Sequence, residues 1–388
     1  LFSLCKNKAM QIIPIASGKG GVGKSLLSAN LAIALGQAGK KVILADLDLG
    51  ASNLHLVIGQ FSAKKGIGTF ITGENKFEDI IQPTEYENVS FIAGDSEIPG
   101  LSTLKSAQKN SIIRNFRNLN CDYLIIDLGA GTHLTILDLF LLSPQGIVVT
   151  APTVTATLNG YLFLKNAVFR LMASSFKKNS PAAKYLEKLK NDSSSLQRLY
   201  IPKMIEALRE VDPENAAVFE NRMRQFHPRL VMNMIDEPKD ADKALKIRRS
   251  CQQYLGIDVE SLGVMYRDTL QDKALSSRLP VINYKPNAVI SQAIYRIAEK
   301  ILQSETFQFD DFSTDVLDST YELANEEAND DYSQKMSYVE DLVGTGALSM
   351  GELAETIKTQ QYELNQLRNE NLLLKSKLVK AASQGFKI

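Results

Sequence analysis

The octapeptide GKGGVGKS, Gly18–Ser25, follows the apolar run Gln11–Ala16 and opens a helical pattern from Ser25 to Gln37. A glycine-rich turn between a strand and a helix lets successive backbone N–H groups point inward, as an anion nest backed by the positive helix end. Its GxxxxGK[ST] spacing assigns Lys24 to terminal phosphates and the Ser25 hydroxyl to magnesium. Gly18, Gly20, Gly21, Val22, Gly23, Lys24, Ser25 and Leu26 are the candidate nucleotide-binding residues. Lys19 is a second lysine at the loop entrance, one more than phosphate binding requires.

Further apolar runs lie at Lys41–Leu47, Val89–Ala93, Tyr123–Asp127, Gly146–Ala151 and Leu230–Met234, alternating with amphipathic helical patterns. Near-continuous hydrophobic strands separated by helices predict a parallel sheet covered on both faces. The expected fold is α/β, a doubly wound, mostly parallel sheet of the P-loop NTPase type.

Asp127 ends the run YLIID before Gly129, Ala130 and Gly131, at a carboxyl strand end where it can hold a magnesium-bound water. A second run ends in ADLDLG. Alternate strand residues face opposite ways, so Asp46 and Asp48 share a role only if the strand stops at Leu47. Asp48 is assigned to the attacking water, and Asp46 to the outer shell of the metal or to structural support. The metal candidates are Ser25, Asp127 and Asp46.

Four regions follow along the 388 residues. Residues 1–303 form the ATPase domain, with a helical insert at about 174–228 that is either a subdomain or a long surface crossover. Residues 304–349 carry twelve acids against Lys335 alone, which predicts an extended, largely disordered linker with local helix at most. Residues 350–382 place Leu353, Ile357, Gln360, Leu364, Leu367, Asn371, Leu374, Leu378 and Ala381 at heptad a and d positions, about four heptads or roughly 42 Å. An Asn at a favours a parallel homodimer; docking on the chain's own ATPase domain, or on another protein, is the alternative. Residues 383–388 are a basic tail.

Lys+Arg and Asp+Glu both number 44, so no global charge favours nucleic acid or an anionic membrane. Cys5, Cys121 and Cys251 form no CxxC, which reads as reduced thiols in a cytoplasmic protein. Three histidines and no HExxH argue against a catalytic metal held by protein alone. Asp138 and Pro144 interrupt the most apolar stretch before it reaches about 20 residues. No signal-peptide pattern opens the chain, and its start at Leu1 rather than Met leads us to expect residues upstream.

Together, GKGGVGKS with Lys19, ILADLDLGASNL and DYLIIDLGAG resemble the deviant Walker A ATPases of the MinD/ParA type, above all the MinD-like FlhG group. The resemblance covers most of residues 10–303, including LGVMYRDTLQDKALSSRLPVI. It implies that Lys19 reaches the phosphates of a nucleotide held by a second subunit, so that ATP becomes part of a homodimer interface and hydrolysis resets it. Lys19, Lys24 and Asp48 are then the catalytic set, ATP and Mg2+ the cofactors, and Asn233 of LVMNM a contact to adenine. It also implies slow turnover stimulated by an unidentified activating protein, in the service of positioning or regulating a cellular assembly, flagellar or polar. ParA-like DNA partitioning and a nucleotide-stabilised scaffold are the alternatives.

Some positions depart from the family. Pro152-Thr153 stands where relatives carry Pro-Glu, and the start has no Gln- and Arg-rich activator segment. NMID at 233–236 lacks the lysine of a guanine-reading NKxD, which favours ATP. Lys239, Lys243, Lys246, Arg248 and Arg249 are diluted by Asp240 and Asp242, so a solvated helix face is expected there rather than a nucleic-acid site. The terminal KLVKAASQGFKI leaves peripheral contact at the inner membrane or cell pole open.

Overall fold

The computed structural model describes residues 10–49, 52–60, 65–94, 104–191, 200–304 and 314–344, with individual positions between 351 and 374. It divides into two units, Leu1–Asp331 and Tyr332–Ile388.

The first unit begins with β1 (Gln11–Ser17), α1 (Lys24–Gln37) and β2 (Val42–Leu47), followed by α2 (Leu54–Val57), α3 (Ile67–Thr72), β3 (Ile81–Pro83) and β4 (Val89–Ile92). Next come α4 (Ser106–Arg117), β5 (Tyr123–Ala130), α5 (Leu134–Phe140), β6 (Ile147–Thr150) and α6 (Val154–Ser175). The insert supplies α7 (Pro181–Asn191), α8 (Ile201–Val211) and α9 (Pro213–Gln225) before β7 (Arg229–Ile235) and α10 (Asp242–Ser250). A π-helical turn, Cys251–Leu255, leads to β8 (Glu260–Tyr266), α11 (Leu270–Ser276), α12 (Val281–Tyr284), α13 (Val289–Ser304) and α14 (Thr314–Gly344).

The eight strands form one sheet in the order β3-β4-β2-β5-β1-β6-β7-β8, parallel except where β3 meets β4. β2 is buried along its whole length and β5 up to Gly129, as their apolar runs require. α1 is also buried from Lys24 to Gly36 apart from Ser25. It is therefore a central helix, and its few polar residues must find partners inside. The insert is helical and packs through Ile201, Met204 and Leu208 of α8 and Ala216, Phe219 and Met223 of α9. Asp212 accepts from Asn215 N–H at the start of α9 and from Ala182 N–H in α7, tying the two helices together.

The acidic stretch departs from the expected linker. Residues from Thr314 are helical, and Leu317, Tyr321, Ala324 and Ala328 are buried. Their spacing of four, three and four makes one helical face. Self-repulsion is offset by cations that are distant in sequence: Arg248 pairs with Asp318, Lys300 with Glu327 at 2.7 Å and Arg296 with Asp331. The helix also serves the outer edge of β8, where Thr320 Oγ1 accepts from Ser261 N–H (3.2 Å) and the Tyr321 hydroxyl donates to the Val259 carbonyl (2.8 Å). Edge strands need such cover. Residues 305–313 lie outside the described set.

In the second unit, every described position between 351 and 374 is helical and exposed, including Ile357, Leu367, Asn371 and Leu374 of the heptad seam. Leu353, Gln360, Leu364, Leu378, Ala381 and the basic tail are outside the described residues.

Candidate functional site

β1 delivers the chain into the loop at Ser17, whose hydroxyl donates to the Lys19 carbonyl at 2.9 Å. Gly21 and Gly23 have φ of 76° and 86°, a left-handed region in which a side chain is strained. A Cβ on Gly23 would also fall 2.1 Å from Asn233 Nδ2, and one on Gly18 2.0 Å from the Asn159 carbonyl oxygen. The first contact ties the loop to β7 and the second to α6.

Lys24 opens α1 and is only 7% exposed. Its Nζ donates to Asp127 Oδ1 at 2.7 Å and lies 3.3 Å from Ser25 Oγ. Ser28, one turn further along α1, donates its hydroxyl to the same Asp127 oxygen at 2.9 Å. The other oxygen, Asp127 Oδ2, is buried without a partner among the described residues.

Asp46 lies beside Asp127 in the β2–β5 register and is fully buried. Its Oδ1 accepts from Asp48 N–H (3.0 Å), and its Oδ2 from the Ser52 hydroxyl (2.7 Å) and Leu54 N–H (3.3 Å). Burial, and next the Asp127 charge, hold its carboxyl well above the ordinary range. These three bonds hold the loop after β2 against Asp46, the supporting one of its two expected roles. Asp48 follows the end of β2 at Leu47 and lines the cleft.

The cleft holds about 620 Å³, and its lining includes Gly20, Gly21, Gly23, Lys24, Ser25, Leu26 and Asp48 together with Met234, Leu275, Leu279 and Val281. The glycine loop and an apolar wall thus share one cleft, the pairing expected of a site for a polar tail and a flat ring. Val22 is buried, and its carbonyl accepts from Asn233 Nδ2 at 2.8 Å while Asn233 Oδ1 accepts from Met234 N–H. Asn233, 2% exposed, therefore braces the loop and is not among the residues that line the cleft. Met234, with φ 58°, takes the position facing the cleft.

Lys19 is elsewhere. Its exposed side chain donates to Thr155 Oγ1 at 3.0 Å, at the start of α6 and beside the exposed Val154 and Leu158. Sequence reasoning missed Ser28, Ser52, Met234 and Asn30, whose Oδ1 accepts from Ile282 N–H and fixes the apolar wall to α1. Polar residues within a wholly buried helix were the available signal for Ser28 and Asn30.

For the basic stretch, Lys243 pairs with Asp240 at 2.7 Å, Lys239 with Glu237, and Arg248 is buried beneath Asp318 and stacked on the Tyr321 ring. The expected solvated face holds only in part, because Arg248 has been drawn into the interior.

A phosphate loop after β1, an aspartate within β5 and an all-parallel central sheet define a P-loop NTPase domain. The family described as ParA, NUBPL iron-transfer P-loop NTPase, matches residues 8–161. Among curated proteins, the flagellum site-determining protein YlxH of Helicobacter pylori is 34% identical over 157 residues, 40% of this chain and 53% of the relative. The antiactivator FleN of Pseudomonas aeruginosa is 29% identical over 160 residues, 40% of this chain and 56% of the relative. The chain thus spans about half the length of the curated relatives it matches. The Mg-ADP complex of the septum site-determining protein MinD from Pyrococcus horikoshii shares the fold, with TM-score 0.52 at 23% identity over 75% of this chain and 96% of that one.

Proposed function

We propose that the chain is an ATP-binding, slowly hydrolysing switch in which two copies close around ATP to position or regulate a cellular assembly. The observation that carries this reading is the location of Lys19. It stands outside its own cleft on an exposed face with Val154 and Leu158, 83% and 55% exposed, as a residue serving a second copy would. The flagellar relatives favour a flagellar or polar assembly as the cargo.

Asp127 Oδ2 and the Ser25 hydroxyl are hard oxygen donors, and the orphaned state of Oδ2 fits Mg2+, which takes few protein oxygens and completes its shell with phosphate and water. The metal would neutralise charge developing on the phosphates. Within the chain, Lys24 exchanges Asp127 for phosphate, the loop N–H groups hold the anion, and Asp48 orients water. A second copy's Lys19 adds a cation to the γ-phosphate, as an arginine finger does.

The exposed Ile357, Leu367 and Leu374, with Asn371 at an a position, support a parallel coil that joins two chains. No helix among the described residues is long and apolar enough to cross a membrane. Cytoplasmic placement, peripheral membrane contact and an activating protein extend the same reading; nucleic acid is disfavoured by the pairing of the basic stretch.

Complementation tests it. Lys19→Ala and Asp48→Ala chains, each expected to lose hydrolysis by about 10²–10³-fold, regain it when co-expressed, because one mixed site keeps both groups. Absence of recovery in purified mixed dimers overturns action in trans.

A further inference from the structure

Asp127 is held from one side only. Its Oδ1 receives Lys24 at 2.7 Å and Ser28 at 2.9 Å, while Oδ2 has no partner among the described residues. The Ser28 hydroxyl has one proton and two acceptors within reach, Asp127 Oδ1 and the Lys24 carbonyl at 3.0 Å. Serines in a helix interior ordinarily spend that proton on the carbonyl one turn back. Here the helix faces a buried carboxylate, and Ser28 itself is 0% exposed.

The two donors differ in what a bound polyphosphate does to them. Lys24 begins the helix at the loop and is drawn to the anion. Ser28 lies a turn deeper, beyond the reach of a ligand in the cleft. Once Lys24 transfers, Ser28 is the remaining side-chain donor on Asp127 among the described residues, and its bond is what keeps Oδ1 engaged and Oδ2 the unpaired oxygen.

We propose that Ser28 is a positioning residue that keeps Asp127 aimed at the divalent cation accompanying the nucleotide. The proposal rests on the nucleotide-switch reading and adds the group that makes the Asp127 carboxylate competent for metal. The hydroxyl does its work through Asp127 and touches neither phosphate nor metal. Its loss is therefore felt in metal dependence before anything else.

The test uses the full chain and ADP, titrated by calorimetry with Mg2+ and again in excess EDTA. For Ser28→Ala, ADP affinity in EDTA is expected to stay within about twofold of the parent, since Lys24 and the loop are intact. The Mg2+-dependent gain falls about tenfold, the size of one charge-assisted hydrogen bond. Mn2+ bound in the ADP complex, followed by electron paramagnetic resonance, weakens in parallel. Thermal unfolding without ligand shows whether Ser28→Ala folds. A well-folded variant with an unchanged Mg2+ gain, or one that loses affinity equally with and without metal, overturns the proposal. A parent chain that binds no ADP under either condition overturns the nucleotide reading and this inference with it.

Discussion

The nucleotide cleft and the helix over β8 both take charges out of water, but they balance them differently. In the cleft, two buried carboxylates, Asp46 and Asp127, face one buried cation, Lys24. Over β8 three cations meet three acids: Arg248 with Asp318, Arg296 with Asp331 and Glu327, Lys300 with Glu327. A matched set is what a folded surface needs, because breaking a buried pair leaves an uncompensated charge. An unmatched set is stable only if a proton or ligand makes up the difference, and burial together with the Asp127 charge pushes the Asp46 carboxyl up in that direction. The imbalance marks a place where ligand charge is expected; the balance marks structure.

The largest effect that would break this contrast comes from Lys24. Lys24→Ala is expected to reduce ADP affinity by at least about 100-fold in calorimetry, the range of a lost charged contact to phosphate. Unfolding without ligand is expected to become easier as well, because Asp127 loses its buried cation. Retained ADP binding in this variant would mean that the unmatched acids serve something other than a nucleotide.

Next in size is Arg296→Ala. It leaves Asp331, 1% exposed, without its cation, at a cost of about 3–5 kcal/mol. Desolvation already raises the Asp331 carboxyl despite Arg296, and removing the cation raises it further. A carboxyl whose folded-state pKa exceeds its unfolded value binds more protons when folded, so stability is greatest below the unfolded value and falls as pH rises through the folded one. The variant is therefore expected to lose most stability above the ordinary carboxylate range and to approach the parent in acid, while ADP affinity stays unchanged. Denaturant titrations at several pH values check this. A loss independent of pH would remove the ion pair as its cause.

These regions were also unequally legible in the sequence. Gly18–Ser25 announced itself because a phosphate nest needs contiguous backbone, and Asp127 because an apolar run met an acid before glycines, although β5 continues past it to Ala130. The bracing role of Asn233 was not legible: its amide bonds Val22 and Met234, contacts made only when β7 lies beside the loop. The stretch 304–349 misled for the opposite reason. Its acids were weighed against Lys335, their neighbour in sequence, whereas the cations that matter are Arg248, Arg296 and Lys300. Leu317, Tyr321, Ala324 and Ala328 carried the helical signal throughout, but a stripe that short acquires meaning only when a surface exists to receive it.

The smallest effect sharpens the comparison at a single atom. Tyr321 is buried over β8 with its hydroxyl donated to the Val259 carbonyl at 2.8 Å. Tyr321→Phe keeps the ring, and with it the stacking of Arg248 at 5.1 Å, but leaves that carbonyl unsatisfied. One lost neutral hydrogen bond costs about 1 kcal/mol, with an upper bound near 3 if the carbonyl stays dry. If 314–331 is part of the folded unit, this loss appears in its global unfolding and amide exchange accelerates across both β8 and the helix. If the helix were only tethered, exchange would quicken in the helix alone and global stability would not move. The single oxygen thus separates an integral element from an attached one, without disturbing a charge in either region.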